Sequence, residues 1–420
     1  NTDCWSASDN SGGYPDGSSD VAVVQGTITY NDLGSGFIIS ELDIQSGGDV
    51  TPNSNESPHP LTVDGPVKVA SSGSLSLEEG GNRIELTING DFTNNGSFSA
   101  NGTTVTFDGS GTQVLSGSSG FIFGGISIQS GAEVDATGLG GALEVLGDFS
   151  NEGIFTGNGI LLSGGVNQTL SGGGITFSSL DVTSGSSVTI DGVANNTGRV
   201  ITQGDITLTN GSLALNDAST TLVARGNFIV ESNGTLNGSS GIFEFAGAGR
   251  LADISDASTT FNFANVAFSG TNEFELDNDI MVSTSLSAPG SSTDALVVTD
   301  PDDGNGKESI TFGTNDISVG GSGLVRFATD IIINGVQVTP NGSFGVASTK
   351  VNGTVVEGAV DFQNDGSNDG TLEQLLKSFS MERVDRQWRA DIDTEPVRGI
   401  YASSAYPNLT VIDKVNGGKA

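Results

Sequence analysis

The chain has 420 residues, of which 63 are glycine and only 15% are charged. Its 50 acidic and 15 basic residues give a formal net charge of −35, so nucleic acids and anionic membrane surfaces are repulsive partners. The sequence has no Gly-X-Y period, which excludes collagen, and no run of roughly 18 apolar residues, so we expect no transmembrane segment.

Residues 1–35 are predicted to form an N-terminal cap that contains Trp5 and a first strand at residues 21–24. Cys4 is the single cysteine, which excludes an internal disulfide. It is either a small buried residue beside Trp5 or a site for a lipid anchor or an intermolecular bond. The polar start at Asn1 suits a processed, secreted chain.

A sequence block that contains Gly-Asp-Phe recurs along the next part of the chain. Asp91, Asp148 and Asp205 occupy the same place in three copies and are spaced 57 residues apart, and Asn227 marks a weaker copy. A second block with Gln-x-x-Ser-Gly interleaves with the first. Its glutamines are Gln113 and Gln168, and a short aromatic strand and an aliphatic strand follow each of them.

The period of 57 indicates a β-solenoid, with three rungs of roughly 20 residues in each repeat. Apolar and polar residues alternate in its short strands, which places one side of each strand inward. Asn-Gly pairs such as Asn101-Gly102 and Asn210-Gly211 are predicted to form the corners, so that consecutive repeats stack in register. The fold class is therefore all-β, a parallel β-helix over residues 36–290, with a proline-rich loop protruding at residues 51–60.

Residues 291–376 keep the strand pattern but lose the repeat, and residues 371–377 are the one short helical candidate. Two acidic loops in this region have oxygen-bearing side chains spaced as in calcium loops. Asx-turn chemistry explains the same residues without a metal. The candidate calcium ligands are Asp300, Asp302, Asp303, Asn305, Asp361, Asp365 and Asp369. Calcium binding, solubility in high salt and a solvated outer surface all remain explanations for the excess of acidic residues.

Residues 377–420 carry seven basic and six acidic side chains, a net charge of +1, whereas the rest of the chain carries −36. This contrast predicts a segment that docks on its own rod or on the next subunit. The alternative is a cap whose arginines pair with its own acids. The candidate interface residues are Arg383, Arg386, Trp388, Arg389 and Arg398.

The motifs at residues 90–98, 106–117 and 121–128, with a second copy at 147–182, resemble those of secreted β-helical surface proteins and adhesins of Bacteroidota. The opening at residues 5–24 and the Arg-x-Trp-Arg element at residues 386–389 are similar to segments of the same proteins. The resemblance implies an extracellular location and a structural or adhesive role. It says little about a ligand.

We expect a structural surface protein without catalytic activity, which associates with copies of itself end to end into a fibre or sheath. One alternative is a glycan-binding adhesin stalk. A second is a polysaccharide lyase or hydrolase, because many parallel β-helices have such activities. Against catalysis, the one histidine is His59, between Pro58 and Pro60, and the solenoid has few basic residues. A pair of carboxylates alone would still be sufficient for a glycosidase.

Overall fold

The computed structural model shows an all-β chain. It describes residues 5–6, 18–30, 37–52, 58–140, 143–192, 198–256, 258–271 and 273–289. Beyond these it describes the strands of residues 294–299, 309–312, 317–321, 324–328, 330–333, 338–340, 343–345, 412–413 and 418–419. No helix in the described part of the chain is long and apolar enough to cross a membrane.

The chain forms two compact units, the first of residues 1–221 with 232–235 and the second of residues 222–231 with 236–420. The strands of the first unit are β1 (Trp5–Ser6), β2 (Val21–Val24), β3 (Thr27–Tyr30), β4 (Phe37–Ile39), β5 (Glu41–Ile44), β6 (Asp49–Pro52), β7 (His59–Val63), β8 (Val67–Val69), β9 (Ser74–Ser76), β10 (Glu78–Glu79), β11 (Asn82–Ile88), β12 (Phe92–Asn94), β13 (Ser97–Phe107), β14 (Thr112–Ser116), β15 (Phe121–Ile128), β16 (Glu133–Ala136), β17 (Leu143–Val145), β18 (Phe149–Asn151), β19 (Ile154–Leu162), β20 (Asn167–Gly172), β21 (Ile175–Val182), β22 (Ser187–Asp191), β23 (Arg199–Thr202), β24 (Ile206–Thr209) and β25 (Ser212–Leu215).

The first unit is a three-sided parallel β-solenoid, as the alternation of apolar and polar residues predicts. Its ladders join strands 17 to 26 residues apart along the chain, from Leu143 with Ile160 to Leu180 with Ile206. Face A consists of β4, β7, β11, the ends of β13 and β15, β18, β20, β22 and β25. Face B consists of β2, β5, β8, β12, β14, β16, the starts of β19 and β21, and β23. Face C consists of β3, β6, β9, the starts of β13 and β15, β17, the ends of β19 and β21, and β24.

The three faces correct the predicted relation between the repeat and the turns. From Phe92 on face B to Phe149 on face A the chain advances eight strand positions, and from Phe149 to Ile206 on face C it advances eight more. With three positions in each turn, one repeat of 57 residues makes two and two-thirds turns, and not three. Successive repeats therefore do not stack in register on one face. Each copy begins on a different face of the coil.

Some expected boundaries differ in the structure. Parallel pairing already begins at Val21, which pairs with Glu41, inside the segment assigned to the cap. The loop predicted for residues 51–60 is wrong at both ends, because β6 ends at Pro52 and β7 begins at His59. The carbonyl oxygen of Pro60 accepts a hydrogen bond from the Tyr30 hydroxyl at 2.8 Å.

The corners of the coil bring backbone into close contact with backbone. Gly117 has a φ of 128° and Gly172 a φ of 101°, and a Cβ atom at either glycine would overlap the carbonyl oxygen of Asn94 or Asn151 respectively. Asn210, with a φ of 52°, and Gly211 form a corner between β24 and β25, as predicted. Asn101-Gly102 does not form a corner, because it lies within β13 where the register shifts between Ala100 and Thr104.

The second unit contains further parallel ladders, in which Phe228 pairs with Leu251 and Leu251 with Leu276. Apart from the first residues of β26 and β28, its strands are β26 (Thr221–Ala224), β27 (Phe228–Glu231), β28 (Thr235–Phe245), β29 (Arg250–Asp253), β30 (Thr260–Phe268), β31 (Glu273–Leu276), β32 (Asp279–Ala288), β33 (Asp294–Thr299), β34 (Ser309–Phe312), β35 (Ile317–Gly321), β36 (Leu324–Ala328), β37 (Asp330–Ile333), β38 (Val338–Pro340), β39 (Ser343–Gly345), β40 (Ile412–Asp413) and β41 (Gly418–Lys419).

Candidate functional site: a polar clamp between turns

The repeated residues of the sequence converge on the contact between two neighbouring turns. An aspartate, an asparagine and a glutamine do this in each of two copies, and we call each set a turn clamp. Clamp 1 consists of Asp91, Asn94 and Gln113 on face B, and clamp 2 consists of Asp148, Asn151 and Gln168 on face A. Both clamps lie in the first unit.

The aspartate of each clamp lies at the corner before its strand and accepts a hydrogen bond from the backbone of the next turn. Asp91 Oδ1 accepts from the Val114 N–H at 2.8 Å, and Asp148 Oδ1 accepts from the Thr169 N–H at 2.7 Å. A charged acceptor makes such a bond stronger than a neutral one does. The carboxylates therefore hold the next strand against the corner while they remain exposed to solvent.

The glutamine of each clamp points in the opposite direction, from the next turn back to the preceding one. Gln113 Nε2 donates to the carbonyl oxygens of Ile88 at 2.8 Å and Gly90 at 3.0 Å, and Gln113 Oε1 accepts from the Gly109 N–H at 2.9 Å. These bonds use both donors of a side chain in a residue that is 1% exposed. Burial of an amide is costly unless its groups are paired, so the three bonds explain why glutamine is stable at this position.

Gln168 repeats this arrangement on face A. Its Nε2 donates to the carbonyl oxygens of Val145 and Gly147, both at 2.9 Å, and its Oε1 accepts from the Gly164 N–H at 3.4 Å. The residue is 2% exposed. The same amide therefore joins two turns in both copies.

The asparagine of each clamp closes the corner that follows the strand. Asn94 Oδ1 accepts from the Gly96 N–H at 3.2 Å, and Asn94 Nδ2 donates to the Gly120 carbonyl oxygen at 2.8 Å. Asn151 makes the same two contacts, with the Gly153 N–H at 3.1 Å and the Gly173 carbonyl oxygen at 2.6 Å. Both asparagines are buried. The corner is thus bonded within its own turn and to the next turn.

Phenylalanine rings pack beneath each clamp. Phe92 lies edge-on to Phe98 and to Phe121, each with 4.9 Å between ring centroids. Phe149 takes the equivalent place, 5.1 Å from Phe155 and 6.1 Å from Phe177. Burial of one such side chain stabilises a fold by about 1.5–3 kcal/mol. The polar clamp and the aromatic core therefore act on the same pair of turns.

The weaker fourth copy keeps one part of the clamp, within the second unit. Asn227 stands where the full copies have aspartate, and its Oδ1 accepts from the Arg250 N–H at 3.2 Å. This is the contact that Asp91 makes with Val114, again over 23 residues. An amide oxygen therefore replaces the carboxylate in the same role.

The outward surfaces of the solenoid differ between faces. Face B carries charged side chains, with Lys68 Nζ 2.6 Å from Glu41 Oε1, and this hydrogen bond raises the pKa of Lys68 despite some desolvation. Face C carries hydroxyl groups in two columns, in which Thr29 is opposite Thr51 and Ser97 is opposite Ser74.

One carboxyl group further along face C has a shifted pKa. Burial raises the pKa of Asp181, a hydrogen bond with Thr207 offsets part of this rise, and the negative charge of Asp205 adds to it. Asp181 and Thr207 are opposite each other in the ladder between β21 and β24. The shift therefore has its origin in the stacking of two turns.

The residues predicted as calcium ligands and as a docking interface lie outside the described side chains. These are Asp300, Asp302, Asp303, Asn305, Asp361, Asp365 and Asp369 for calcium, and Arg383, Arg386, Trp388, Arg389 and Arg398 for docking. Both predictions remain predictions, as do the role of Cys4 and the helix at residues 371–377. Within the described residues, no group of three or more His, Cys, Asp or Glu side chains is placed to hold a metal ion.

His59 is fully buried in β7, where its ring lies edge-on to Tyr30 at 6.2 Å. It contributes to the core of the first unit and does not face the solvent.

Comparison with known proteins returns no match, whether with protein-family models, curated proteins or solved structures. The fold and the clamps define the class of the chain as a parallel β-solenoid whose recurrent polar residues join one turn to the next.

Proposed function

We propose that the chain is a structural protein of the extracellular surface, which associates with copies of itself end to end into a fibre or sheath and has no catalytic role. The observation that supports this proposal most strongly is the use made of the repeated residues. Asp91, Asn94 and Gln113 bond one turn to another, and their equivalents make the same bonds on a different face.

An array of binding sites has a different requirement. A linear ligand that touches several repeats needs the repeated residues on one outward face, as in solenoids that bind along one surface. Here the repeats move from face B to face A to face C, and two of the three clamp residues are buried. The repeated sequence is thus best explained by the stability of the stack.

End-to-end association follows from the same geometry. Each turn offers the next a row of backbone N–H and C=O groups, and the turn of another copy presents groups of the same kind. A net charge of −35 keeps separate copies soluble and opposes non-specific contact. The resemblance of the Gly-Asp-Phe and Gln-x-x-Ser-Gly blocks to surface proteins of Bacteroidota supports an extracellular, secreted location.

The test is the state of the purified protein at increasing concentration, by light scattering and negative-stain electron microscopy, with calcium and with a chelator. We expect filaments with a regular axial repeat. A protein that stays monomeric at high concentration in both conditions contradicts the proposal. Comparison of the two conditions also tests whether the predicted calcium loops take part.

The second candidate is a glycan-binding adhesin stalk, and the hydroxyl columns of face C favour it. Hydroxyl groups both donate and accept hydrogen bonds, as sugars do. Binding on a glycan array that is lost when Thr29 and Ser97 are replaced by lysine, and kept when the same change is made at Thr93 on face B, would support it. An array without signal above background would count against it.

A further inference from the structure

The outer edge of the first turn is covered on one face only, among the residues that the structure describes. On face B, β2 pairs with β5 on its inner side and with β1 on its outer side, where Trp5 is opposite Val24 and Ser6 is opposite Val23. On the other faces, β3 pairs with β6 and β4 pairs with β7, and the described residues place no strand on their outer sides.

The direction of β1 distinguishes it from the rest of the coil. Among the described residues of the first unit, the ladders between turns are parallel, and the antiparallel pairings are β1 with β2 and β10 with β11. The second of these is a hairpin within one turn. A strand that runs against the coil occupies the edge of β2 and does not continue the parallel stack, as expected of a device against edge-to-edge pairing.

The pairing of β1 is also short. It joins two residue pairs, whereas the ladder on the other side of β2 joins four, from Val21 with Glu41 to Val24 with Ile44. Each backbone hydrogen bond contributes little net stability, so a two-residue ladder is far easier to displace than the body of the coil.

We propose that β1 is a displaceable strap that controls end-to-end association, a role that rests on the self-association proposed above. While β1 is in place, the first turn offers a second copy the edges of β3 and β4 only. When β1 leaves, the edge of β2 also becomes available, and all three faces of the turn are open to pair with a turn of the other copy.

The experiment compares three chains at one ionic strength: the full chain, a chain lacking residues 1–6, and a control lacking residues 1–3 that keeps β1. Light scattering over a concentration series gives the concentration at which each chain associates, and circular dichroism checks that each is folded. We expect the chain without β1 to associate at a concentration about tenfold lower, since tenfold corresponds to the modest free energy of a short ladder. The control should behave as the full chain does.

A second variant guards against loss of the fold on deletion. Ser6→Pro removes a backbone N–H and fits poorly in a paired strand, so it weakens β1 without shortening the chain. We expect it to lower the association concentration as the deletion does.

The outcomes separate the two proposals. If the full chain associates at high concentration and neither variant does so more readily, the strap is wrong and the structural function stands. If none of the chains associates at any concentration, the self-association itself is contradicted, and the strap with it.

Discussion

Clamps 1 and 2 make the same hydrogen bonds on different faces of the coil, face B and face A. They differ in what surrounds them. Phe92 has two neighbouring rings at 4.9 Å, whereas the rings that contact Phe149 are at 5.1 and 6.1 Å. The polar contacts are therefore carried by the local sequence wherever it falls on the coil, whereas the core packing adapts to each face.

The greatest loss of stability is expected from changes in the packing under the two clamps. Phe92→Ala and Phe149→Ala should each lower the free energy of unfolding by about 3–5 kcal/mol, because each leaves a cavity in a fully buried core. Phe92→Ala should cost more, by about 0.5–1.5 kcal/mol, because of its closer ring pairs. Denaturant titration measures both, with the outward Thr93→Ala as control. A larger loss at Phe149 would contradict the difference drawn between the two faces.

The polar contacts of the two clamps should prove equivalent. Gln113→Ala and Gln168→Ala should each cost about 3 kcal/mol, because buried backbone groups of Ile88, Gly90 and their equivalents lose their partners. The exposed Gln25→Ala should change stability by less than about 0.5 kcal/mol. Denaturation midpoints give the comparison. If one clamp variant matches the Gln25 control, the two clamps are not equivalent.

The corner glycines should show a somewhat smaller cost. Gly117→Ala and Gly172→Ala place a Cβ atom against a carbonyl oxygen of the preceding turn at a positive φ, and we expect a loss of about 1–3 kcal/mol. At Gly111 no atom lies within 4 Å of the position that a methyl group would occupy, so Gly111→Ala serves as the matched control. Thermal unfolding measures all three. Equal melting temperatures for Gly117→Ala and Gly111→Ala would exclude the close corner contact.

The aspartates should tolerate one substitution and not another. Asp91→Asn and Asp148→Asn should change stability by less than about 0.5 kcal/mol, since Asn227 already accepts the same bond with an amide oxygen. Alanine at either position removes the acceptor and should cost about 1 kcal/mol. Chemical denaturation compares the variants. If asparagine proves as costly as alanine, the carboxylate charge matters and the role assigned to Asn227 is wrong.

The weakest effect in this series concerns pH. The pKa of Asp181 is raised by burial, so ionisation of this group in the folded state opposes stability at pH values above its folded pKa, and protonation removes the penalty as the pH falls. Asp181→Asn should therefore raise the unfolding free energy at pH 7 and have no such effect at pH 3. Asp91→Asn is a control at an exposed position. A stabilisation that is the same at both pH values would contradict the cause given.

Much of the fold follows from the sequence. The alternation in segments such as residues 41–44 predicts their inward Leu42 and Ile44, and the fold class is confirmed. The number of turns in a repeat could not be predicted, because a 57-residue period fits any coil in which the chain returns to an equivalent strand position. Eight positions on three faces satisfy this condition without a whole number of turns.

The clamp is visible in the sequence, but its role is not. Gln113 and Gln168 stand out as a recurrence, but a buried amide that joins two turns needs the register of the turns, which the repeat alone does not supply. Pro60 favours the prediction of a loop, yet its carbonyl oxygen remains available to Tyr30 even though the residue has no N–H to donate. Local composition indicates strands and corners, whereas contacts between turns depend on the pairing.

The passage of the repeat from one face to the next is best tested by disulfide formation between Ser127→Cys and Ser150→Cys in a Cys4→Ser background. Ser150 follows Phe149 in the second copy, and the parallel ladder pairs it with Ser127 on face A. Neighbouring parallel strands lie about 4.8 Å apart, within the range that a disulfide spans. The pair Thr93→Cys and Ser116→Cys, whose hydroxyl oxygens are 3.0 Å apart in the native chain, is the positive control. We expect both pairs to oxidise completely. Oxidation of the control pair without oxidation at positions 127 and 150 would contradict the placement of the second copy on face A.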